Sequence, residues 1–513
     1  MTDLLWTLVA LQIAMGAFDT LFHHELTERL AWKPSQKGEL RLHGVRNLIY
    51  AALFALIGWA EPRGGLAVAL MVILAIEVLI TLTDFVEEDR TRRLPASERI
   101  THTLLALNYG AILMLFLPLL ARWAAGPTQL VPASNGLWGL MATTAAAAVF
   151  VFGLRDLLAS RRSDRLVPPD AAALGRELAG RHRILVTGAT GFIGRRLVAA
   201  LVGAGHEVIA LVRNPRTADL PVPITLVTDL GQIAADTRID AVINLAGEPI
   251  SDSPWTLARR RRILRSRLRV TRAVRRLIAR LETRPAVLVS GSAIGWYGLH
   301  GDERLDEAGP ASPCFSHRLC HAWEQAARPV ATLGVRVVTL RIGLVLGVDG
   351  GMLSRLLMPF EFGLGGPMGS GGQWTSWITL DDCVRMILHA VGESHISGPL
   401  NVVAPNPVTN RQLSQALGRA LRRPALLAAP AAPLRLAFGA FAEELLLGGQ
   451  RVIPAQAVAT GFRFRHPDLD AALHDIVGAR PVRATGEMRA YPLSWSAAGP
   501  AAALVEGNIS SRP

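Results

Sequence analysis

The chain has 513 residues, half of them apolar, and a mean hydropathy of +0.31, which is high for a protein that dissolves entirely in water. At about 150 residues per domain, this length accommodates about three domains. The formal charge of +13 comes almost entirely from arginine, because Lys33 and Lys37 are the only lysines. The three cysteines, Cys314, Cys320 and Cys383, show no CxxC spacing, which argues against a disulfide framework or a zinc cluster.

Five apolar stretches occupy the first 160 residues. They are Leu4–Phe22, Val45–Ala60, Gly65–Thr83, Thr103–Ala125 and Gly136–Leu154. Most of them reach the ~17–25 residues that a helix needs to cross a bilayer. Runs such as LAVALMVILAIEVLITLT also lack the polar face of a surface helix. The sequence therefore predicts a transmembrane domain over residues 1–160, an all-α bundle of about five spans, with a water-soluble helical bundle as the alternative.

Basic residues are distributed unequally between the loops that join these stretches. Three loops are basic, after the first stretch (Arg29, Lys33, Lys37, Arg41), the third (Arg90, Arg92, Arg93, Arg99) and the fifth (Arg155, Arg161, Arg162, Arg165). The two intervening loops carry only Arg63 and Arg122. Basic loops stay on the cytoplasmic side. We therefore expect a multi-pass protein of the inner or plasma membrane with its N-terminus outside, its later domains in the cytoplasm, and membrane lipid as a partner.

Acidic residues and histidines cluster at the predicted cytoplasmic ends of four of these stretches. They are Asp19, His23, His24 and Glu25, then Glu39 and His43, then Asp84, Glu87 and Glu88, then Glu98 and His102. Several pairs are spaced i,i+4, which places both side chains on one helix face. One interpretation is interfacial charge paired with the arginines of the same loops. The other is a metal or haem-edge site, with His23, His24, His43 and His102 as the candidate metal ligands.

A strand, a glycine-rich turn and a helix follow a polar linker at residues 161–182. RILVT (183–187) reads as a short strand, and GATGFIG follows it with the spacing GxxGxxG. Glycines at this spacing allow the backbone to approach a pyrophosphate, which then lies at the positive end of a helix. The sequence predicts a dinucleotide site formed by Gly188, Thr190, Gly191, Phe192, Ile193 and Gly194.

The residues after the next strands bear on which dinucleotide is bound. NAD-binding proteins of this fold carry an acidic residue at the end of the second strand, where it holds the ribose 2′-OH. Here that place carries Arg213, which suits a 2′-phosphate, so NADP is favoured and NAD stays possible. Asp229 ends a predicted third strand and is a candidate adenine contact. Ala246 and Gly247, in the fourth strand AVINLAG (241–247), are expected beside the cofactor.

Several long motifs resemble the extended short-chain dehydrogenase/reductase family of the NAD-dependent epimerase/dehydratase type. TGATGFIG, INLAG, SGSAIGWYG (290–298) and WITLDD (377–382) occur in that family's order. NLAGEPIS (244–251), SHRLCHAWE (316–324) and LRIGLVLGVDGGML (340–353) are similar to its YfcH-like "epimerase family protein" branch. The resemblance spans about residues 183–476 and leaves out the apolar N-terminal part.

The resemblance implies an α/β fold, a Rossmann-type doubly wound parallel sheet with a small C-terminal substrate lobe. It implies a Rossmann domain at 183–422 and a C-terminal domain of unknown function at 423–480; the tail 481–513, rich in Ala, Pro and Ser, is expected to be disordered. The implied activity is that of an NAD(P)-dependent oxidoreductase or epimerase acting on a small molecule that the sequence does not identify.

Enzymes of this family use a serine together with tyrosine and lysine in the spacing YxxxK. Ser292 occupies the serine position, but Ser316 and Cys320 stand where the tyrosine and lysine belong, and no lysine follows residue 37. Tyr297 and His317 are the candidate replacements for acid–base work, besides Ser292. Two hypotheses follow: an enzyme with a non-standard proton donor, or a catalytically weak NADP(H) sensor that regulates the membrane domain.

An arginine-rich segment, 258–280, has eleven arginines and no acid. Seven of them recur at a spacing of three or four: Arg259, Arg262, Arg265, Arg269, Arg272, Arg276 and Arg280. A solvated helix face and a surface for anionic lipid are both compatible with this pattern. Nucleic acid is not expected as a partner, because interleaved aromatic residues and a known binding module are missing.

Overall fold

Five long helices form the N-terminal part of the chain in the computed structural model, which describes residues 1–166 and 170–479. They are α1 Asp3–Phe18, α2 Lys37–Trp59, α3 Gly65–Thr91, α4 Ala96–Ala124 and α5 Leu137–Ser163. All five lie in segments that are long and apolar enough to cross a membrane. The predicted number of helices is thus confirmed. Helices α2 to α5 extend well beyond the apolar stretches, because the charged residues at these ends are paired inside the bundle.

The segment after α1 departs from regular α-helix. Asp19–Glu28 is π-helical, and Arg29 then takes a left-handed conformation with φ 54°. In a π-helix the hydrogen bond runs to the fifth residue instead of the fourth, and such turns are rare and occur frequently at functional sites. This segment carries four buried polar residues, namely Asp19, His23, His24 and Glu25.

The rest of the described chain is an α/β domain. Its remaining helices are α6 Ala171–Gly175, α7 Phe192–Gly203, α8 Leu257–Arg280, α9 Phe315–Ala327, α10 Leu353–Glu361, α11 Leu380–Gly392, α12 Asn410–Leu421, α13 Ala431–Phe438, α14 Ala455–Ala459 and α15 Leu469–Ile476. The strands of the described residues are β1 Ala60–Pro62, β2 Leu130–Pro132, β3 Arg183–Thr187, β4 Glu207–Leu211, β5 Thr225–Val227, β6 Ala241–Asn244, β7 Val287–Ala293, β8 Arg304–Leu305, β9 Arg336–Ile342, β10 Leu344–Leu346, β11 Trp374–Thr375, β12 Trp377–Thr379, β13 Gly398–Val402, β14 Val408–Thr409 and β15 Arg451–Val452.

Seven of these strands form one parallel sheet in the order β13-β9-β7-β6-β3-β4-β5. Apolar clusters cover both faces of the sheet: residues of α7 and α11 lie on one face and residues of α8 on the other. The direction of the strand order reverses between β3 and β6. In doubly wound sheets, ligands bind at the carboxyl ends of the strands at this reversal. The predicted doubly wound α/β fold is confirmed, and its switch point lies beside the glycine-rich turn.

The helical part and the α/β domain share an apolar core. Leu30, Trp32 and Leu40 from the first part pack in one cluster with Leu357 and Phe360 of α10, among others. The predicted linker also packs: α6 lies against α7, and a side chain on Gly175 would lie 2.0 Å from the carbonyl oxygen of Ala200. The polar tether that the sequence suggested is therefore attached to the domain over α6. The predicted tail, 481–513, lies outside the described residues.

Candidate active site

The glycine-rich turn between β3 and α7 lies against the end of β6. Gly188 has φ 74°, and a Cβ there would lie 2.8 Å from the carbonyl oxygen of Leu245. A Cβ on Gly194 would lie only 2.1 Å from the carbonyl oxygen of Gly188. Glycine is required at both positions, since the turn, the first turn of α7 and the β6 end touch through their backbones. This contact places Ala246 beside the turn, with Gly247 directly after it, while their predicted position beside the cofactor stays a prediction.

The other predicted residues of the turn are distributed over its two sides. Thr190 lies in the turn itself, and Phe192 and Ile193 begin α7. The Phe192 ring packs on a second glycine turn that follows β10: a Cβ on Gly350 would lie 2.4 Å from its Cδ2 atom. The glycines of LGVDGG therefore make room for this ring. The sequence carried that signal in the repeated glycines, but only the fold shows which ring they accommodate.

Arg213 and Asp229 follow β4 and β5, the two outermost strands on the β3 side of the switch point. Both side chains are exposed. Asp229 begins a short 3₁₀ turn, and its Oδ1 atom accepts a hydrogen bond of 2.6 Å from the backbone N–H of Gly231. The outer edge of the sheet therefore presents both side chains to the solvent, and the Asp229 carboxylate also caps a turn.

A buried polar network joins the strands beneath this turn. Thr187 Oγ1 donates to Asn244 Oδ1 at 2.7 Å, and Asn244 Nδ2 donates to Thr271 Oγ1 at 2.9 Å. The indole N–H of Trp323 reaches the same Thr271 oxygen at 3.1 Å. The network links β3, β6, α8 and α9, because each polar group would otherwise be buried without a partner. Sequence reasoning missed these residues.

The α/β domain is similar in sequence to known proteins. Residues 184–402 match the NAD dependent epimerase/dehydratase family, and residues 429–476 match a domain of unknown function, DUF1731. An epimerase family protein of Mycobacterium tuberculosis is 39% identical over 290 residues, which are 56% of this chain and 96% of that protein. The chain belongs to the NAD-dependent epimerase/dehydratase family.

Further relatives include the epimerase family protein YfhF of Bacillus subtilis, 38% identical over 58% of this chain and 98% of that protein. The crystal structure of human epimerase family protein SDR39U1 with NADPH is 36% identical and has a TM-score of 0.52, over 57% of this chain and 99% of that chain. The family match begins at residue 184, so the five N-terminal helices lie outside it.

Ser292, in the serine position of the family, lies near the carboxyl end of β7. It is buried, and its hydroxyl donates to Glu324 Oε1 at 2.7 Å. Glu324 also forms an ion pair with Arg341 at 3.1 Å, whose guanidinium stacks 3.5 Å from the centre of the Trp296 ring. The serine is thus oriented by an acid that is itself fixed. Because the hydroxyl hydrogen points at Glu324, the Ser292 oxygen keeps its lone pairs for a donor from a ligand.

Tyr297 occupies the far end of the same chain of contacts. Its side chain is fully buried, and its oxygen lies 2.7 Å from Asn401 Oδ1 and accepts a bond of 3.1 Å from Arg341. Burial raises the pKa of Tyr297 to about 12. A phenol that is enclosed and bonded in this way is a poor proton donor at neutral pH. The structure does not support the catalytic role that the sequence suggested for Tyr297, because the hydroxyl closes a structural network.

Helix α9 carries Ser316 and Cys320, the two residues that the sequence analysis aligned with the family's tyrosine and lysine. Ser316 Oγ donates to Glu444 Oε2 at 2.6 Å, and Glu444 also accepts from the backbone N–H groups at the start of the helix. Cys320 is buried, and burial raises the pKa of its thiol to about 12. Ser316 is thus held by the carboxylate that caps the helix, and Cys320 is a neutral thiol at physiological pH.

His317, next to Ser316, is half-buried and held in one orientation. Its Nδ1 atom lies 2.5 Å from the carbonyl oxygen of Trp296. A carbonyl oxygen only accepts, so Nδ1 carries the proton and Nε2 is the free position of the neutral ring. His317 is therefore oriented as a general base through Nε2, or as an acid when protonated there.

One arginine of the 258–280 segment points inward at this site. The Arg267 guanidinium lies 4.9 Å from the centre of the Trp323 ring and donates to the carbonyl oxygen of Glu248 at 3.0 Å. A Cβ on Gly247 would lie 2.9 Å from Arg267 Cζ, so the cation touches the strand end beside the turn. Burial lowers the pKa of Arg267 to about 10, which leaves it protonated at neutral pH. The sequence did not single out Arg267, because nothing in its spacing distinguishes it from the ten other arginines of the segment.

The remaining arginines of α8 are divided between the interior and the solvent. Arg259 is buried and pairs with Glu248, and Arg280 donates to the carbonyl oxygens of Leu230 and Ile233. The five members between them are exposed, namely Arg262, Arg265, Arg269, Arg272 and Arg276. The predicted stripe thus exists over the middle of the helix, while its two ends are anchored to the domain.

The predicted metal ligands lie in a second place, between the helix ends of the N-terminal part. Two groups of side chains bring ligand atoms within 4.8 Å of one another: Asp19, His24, Glu98 and His102, and His24, Glu39, His43 and Glu88. His24, His43 and His102 of the four predicted histidines belong to them. His23 does not: its two ring nitrogens contact Asp19 at 2.8 Å and Ser97 at 3.2 Å.

Proposed function

We propose that this chain is a membrane-anchored, NADP(H)-dependent oxidoreductase or epimerase that acts on a small molecule. The observation that carries the proposal is the backbone contact of Gly188 and Gly194 with their neighbours at the switch point, which leaves the β3–α7 turn open to a pyrophosphate. NADPH bound there supplies a hydride. The relative crystallised with NADPH supports this cofactor for the fold.

The preference for NADP rests on Arg213. Arg213 is an exposed cation at the end of β4, where NAD-binding proteins carry an acidic residue. An arginine at this position favours the 2′-phosphate of NADP. Arg213→Asp exchanges an attraction for a repulsion, and we expect NADPH to bind at least about tenfold more weakly, which corresponds to about 1.4 kcal/mol. NADH affinity should not fall. Arg216→Asp, an equally exposed arginine three residues on, is the matched control.

Titration of NADPH and NADH into the purified chain, followed by cofactor fluorescence, measures both affinities. A wild-type protein that binds the two cofactors equally well contradicts the preference for NADP. An Arg216→Asp variant that loses as much NADPH affinity as Arg213→Asp also contradicts it, because the effect then reflects net charge alone.

The proton chemistry is assigned to His317, with Ser292 and Arg267 as supporting groups. The chain has no lysine after residue 37, so a cation beside the nicotinamide ribose has to come from elsewhere. Arg267 touches Gly247 at the strand end and provides that charge. Ser292 presents an oxygen fixed by Glu324, and His317 Nε2 exchanges the proton with the substrate oxygen.

His317→Gln tests this assignment, with His321→Gln as the control, because His321 is one helical turn away and exposed. Loss of NADPH absorbance in the presence of a panel of aldehydes, ketones and nucleotide sugars reports turnover. We expect the rate to fall by about 10²–10⁴-fold in His317→Gln, the usual contribution of a general acid, with NADPH affinity unchanged. A full rate in His317→Gln, or a wild-type protein that turns over nothing in the panel, contradicts the proposal.

Arg267→Gln tests the supporting cation. It should weaken NADPH binding, whereas the exposed Arg265→Gln should not, since only Arg267 contacts the strand end at Gly247. Equal affinities in the two variants rule out a role for Arg267 at the cofactor.

Membrane anchoring is the second part of the proposal. Of the 38 large apolar side chains that are exposed in the described residues, 29 lie before residue 160. On α3, for example, Val72, Ile76 and Leu79 follow one another along the exposed surface of the helix. An apolar surface of this extent is unfavourable in water. The helices are also long enough for a bilayer. The basic loops then orient the α/β domain toward the cytoplasm, in the inner or plasma membrane.

Washing of isolated membranes with alkaline carbonate tests the anchoring, since this treatment strips peripheral proteins and leaves integral ones. We expect the full-length chain in the membrane pellet. Quantitative release into the supernatant contradicts the membrane assignment and supports the alternative of a water-soluble bundle.

A further inference from the structure

The helix ends of the N-terminal part hold a cluster of ligating side chains that the family domain does not use. The two groups share His24 and contain seven residues, of which six are buried. We propose that this cluster binds two divalent first-row transition-metal ions, one at each group, with His24 ligating only one of them because a neutral imidazole offers a single lone pair. Imidazole and carboxylate ligands together suit this class of metal, and helical bundles build such centres from facing helices.

The geometry of the first group converges on one point. His24 Nε2 lies 3.3 Å from Asp19 Oδ2 and 3.6 Å from Glu98 Oε1, and His102 Nε2 lies 3.2 Å from the same Asp19 oxygen. Ligand atoms about 2.0–2.2 Å from an ion lie at most about 4.4 Å apart. These separations therefore match four atoms around one ion. The π-helical segment explains the convergence, because it turns Asp19 and His24, five residues apart, toward the same side.

The second group is joined to the first through Glu88. Its Oε1 lies 3.7 Å from His43 Nε2, and its Oε2 lies 3.3 Å from His102 Nδ1, so its two oxygens face the two groups. His102 Nδ1 is the ring nitrogen that does not face Asp19, so Glu88 holds the His102 ring toward the first group through Oε2 and offers Oε1 to an ion in the second group. Glu39, one helical turn before His43 on α2, completes this group, as Glu98 precedes His102 on α4.

Several of these atoms are buried without a hydrogen bond. His24 Nε2, His43 Nε2 and Glu88 Oε2 have no partner in hydrogen-bond geometry, although each belongs to a residue that is at least nine-tenths buried. Buried polar atoms without a partner are costly and rare in proteins. Their neighbours lie at ion-pair distance, the nearest to His43 Nε2 being Asp84 Oδ2 at 3.0 Å, and a bound metal ion gives these buried atoms the partner that they lack.

The charge of the cluster also calls for a cation. Four carboxylates belong to the two groups, and the only guanidinium that hydrogen-bonds to them among the described residues is Arg92, at 2.8 Å from Glu39 and 2.7 Å from Glu98. Three negative charges are left over in a buried place. Each carboxylate that Arg92 holds keeps further lone pairs for an ion.

A metal ion bound at this cluster is accessible from one side. A cavity of about 340 Å³ enters the helical bundle, and its wall includes His24, His43 and Glu88 together with apolar residues such as Leu5 and Phe116. Structural metal sites are closed by protein ligands, whereas catalytic sites keep a position for an outside ligand. The cluster is therefore of the second kind, with an apolar approach.

The test uses the full-length chain, purified in detergent from cells grown with added iron, manganese and zinc. Elemental mass spectrometry should find two transition-metal ions per chain in the wild type and about one in Glu88→Gln and in His43→Gln, because these residues belong to the second group alone. Glu77→Gln is the matched control: Glu77 lies on α3 like Glu88, is fully buried and belongs to neither group. It should retain both ions.

A second measurement separates loss of metal from loss of folding. Adding the same metal to chelator-stripped protein should raise the melting temperature of the wild type and of Glu77→Gln by equal amounts and that of Glu88→Gln by less, because an ion that binds only the folded state stabilises it. NADPH binding should persist in all of these variants, which also distinguishes failure here from failure of the proposed cofactor site. Fewer than two ions per chain in the wild type, or equal metal content in Glu88→Gln, overturns the proposal.

Discussion

Gly188→Ala tests whether the β3–α7 turn works through backbone contact. Gly188 has φ 74°, a left-handed conformation that costs an L-residue roughly 1–2 kcal/mol. The new Cβ would also lie 2.8 Å from the carbonyl oxygen of Leu245, and overpacking of this kind costs about 1–3 kcal/mol. The sum is about 2–5 kcal/mol. The chain relieves it by moving the turn away from β6, and this movement removes the pyrophosphate position.

The control for this variant is Gly205→Ala. Gly205 is also left-handed, with φ 84°, but nothing lies within 4 Å of its added Cβ. It therefore carries the conformational cost alone and lies outside the turn. At about 1.4 kcal/mol per tenfold change, a loss of 2–5 kcal/mol in Gly188→Ala weakens NADPH binding by roughly 30-fold or more. Gly205→Ala should bind NADPH like the wild type, even if its melting temperature falls.

Fluorescence titration of NADPH into the three purified proteins measures the effect. NADPH affinity of Gly188→Ala within threefold of the wild type would refute the reasoning. It would mean that the turn yields to a side chain, or that the cofactor binds elsewhere in the protein.

Three other variants or treatments test the rest of the structure. Asn244→Asp should lower the free energy of unfolding by about 1–3 kcal/mol, measured by denaturant titration, because a carboxylate cannot donate to Thr271 in the buried network. Glu361→Gln should speed proteolysis between the helical part and the α/β domain, since the Glu361 carboxylate pairs with Arg155 at 2.9 Å across that contact; an unchanged cleavage rate contradicts a stabilising role. Iodoacetamide at pH 8 should leave Cys320 unmodified in the native protein, as seen by mass spectrometry, because burial raises the pKa of its thiol to about 12 and only the thiolate reacts; rapid labelling contradicts the burial.

Local patterns in the sequence were sufficient to predict the N-terminal helices and the glycine-rich turn between β3 and α7. The glycines at 188, 191 and 194 follow a short apolar strand, and each acts through its own backbone, so the spacing itself carries the information. The five N-terminal helices were equally visible, because a continuous apolar run has few alternatives to a helix. Their ends were misjudged by up to two or three turns, since buried ion pairs such as that of Arg92 with Glu98 extend the helices past the apolar residues.

Contacts between distant segments were decided by the tertiary structure. Tyr297 stood out as an isolated tyrosine near the serine position, but the fold encloses its hydroxyl between Arg341 and Asn401. Arg267 looked like one of eleven similar arginines, and only the packing of α8 against the end of β6 turns it toward Gly247.

The two histidines of the π-helical segment, His23 and His24, also separate what the sequence predicts from what the fold decides. Their clustering at helix ends was readable, because basic loops and i,i+4 spacing are properties of the chain itself. Which of two adjacent histidines joins the cluster was not readable. Both histidines reach Asp19 across the π-helical turn, but the second ring nitrogen of His23 contacts Ser97, whereas His24 Nε2 lies between Asp19 and Glu98. A sequence states which side chains are available, and the path of the backbone decides which of them meet.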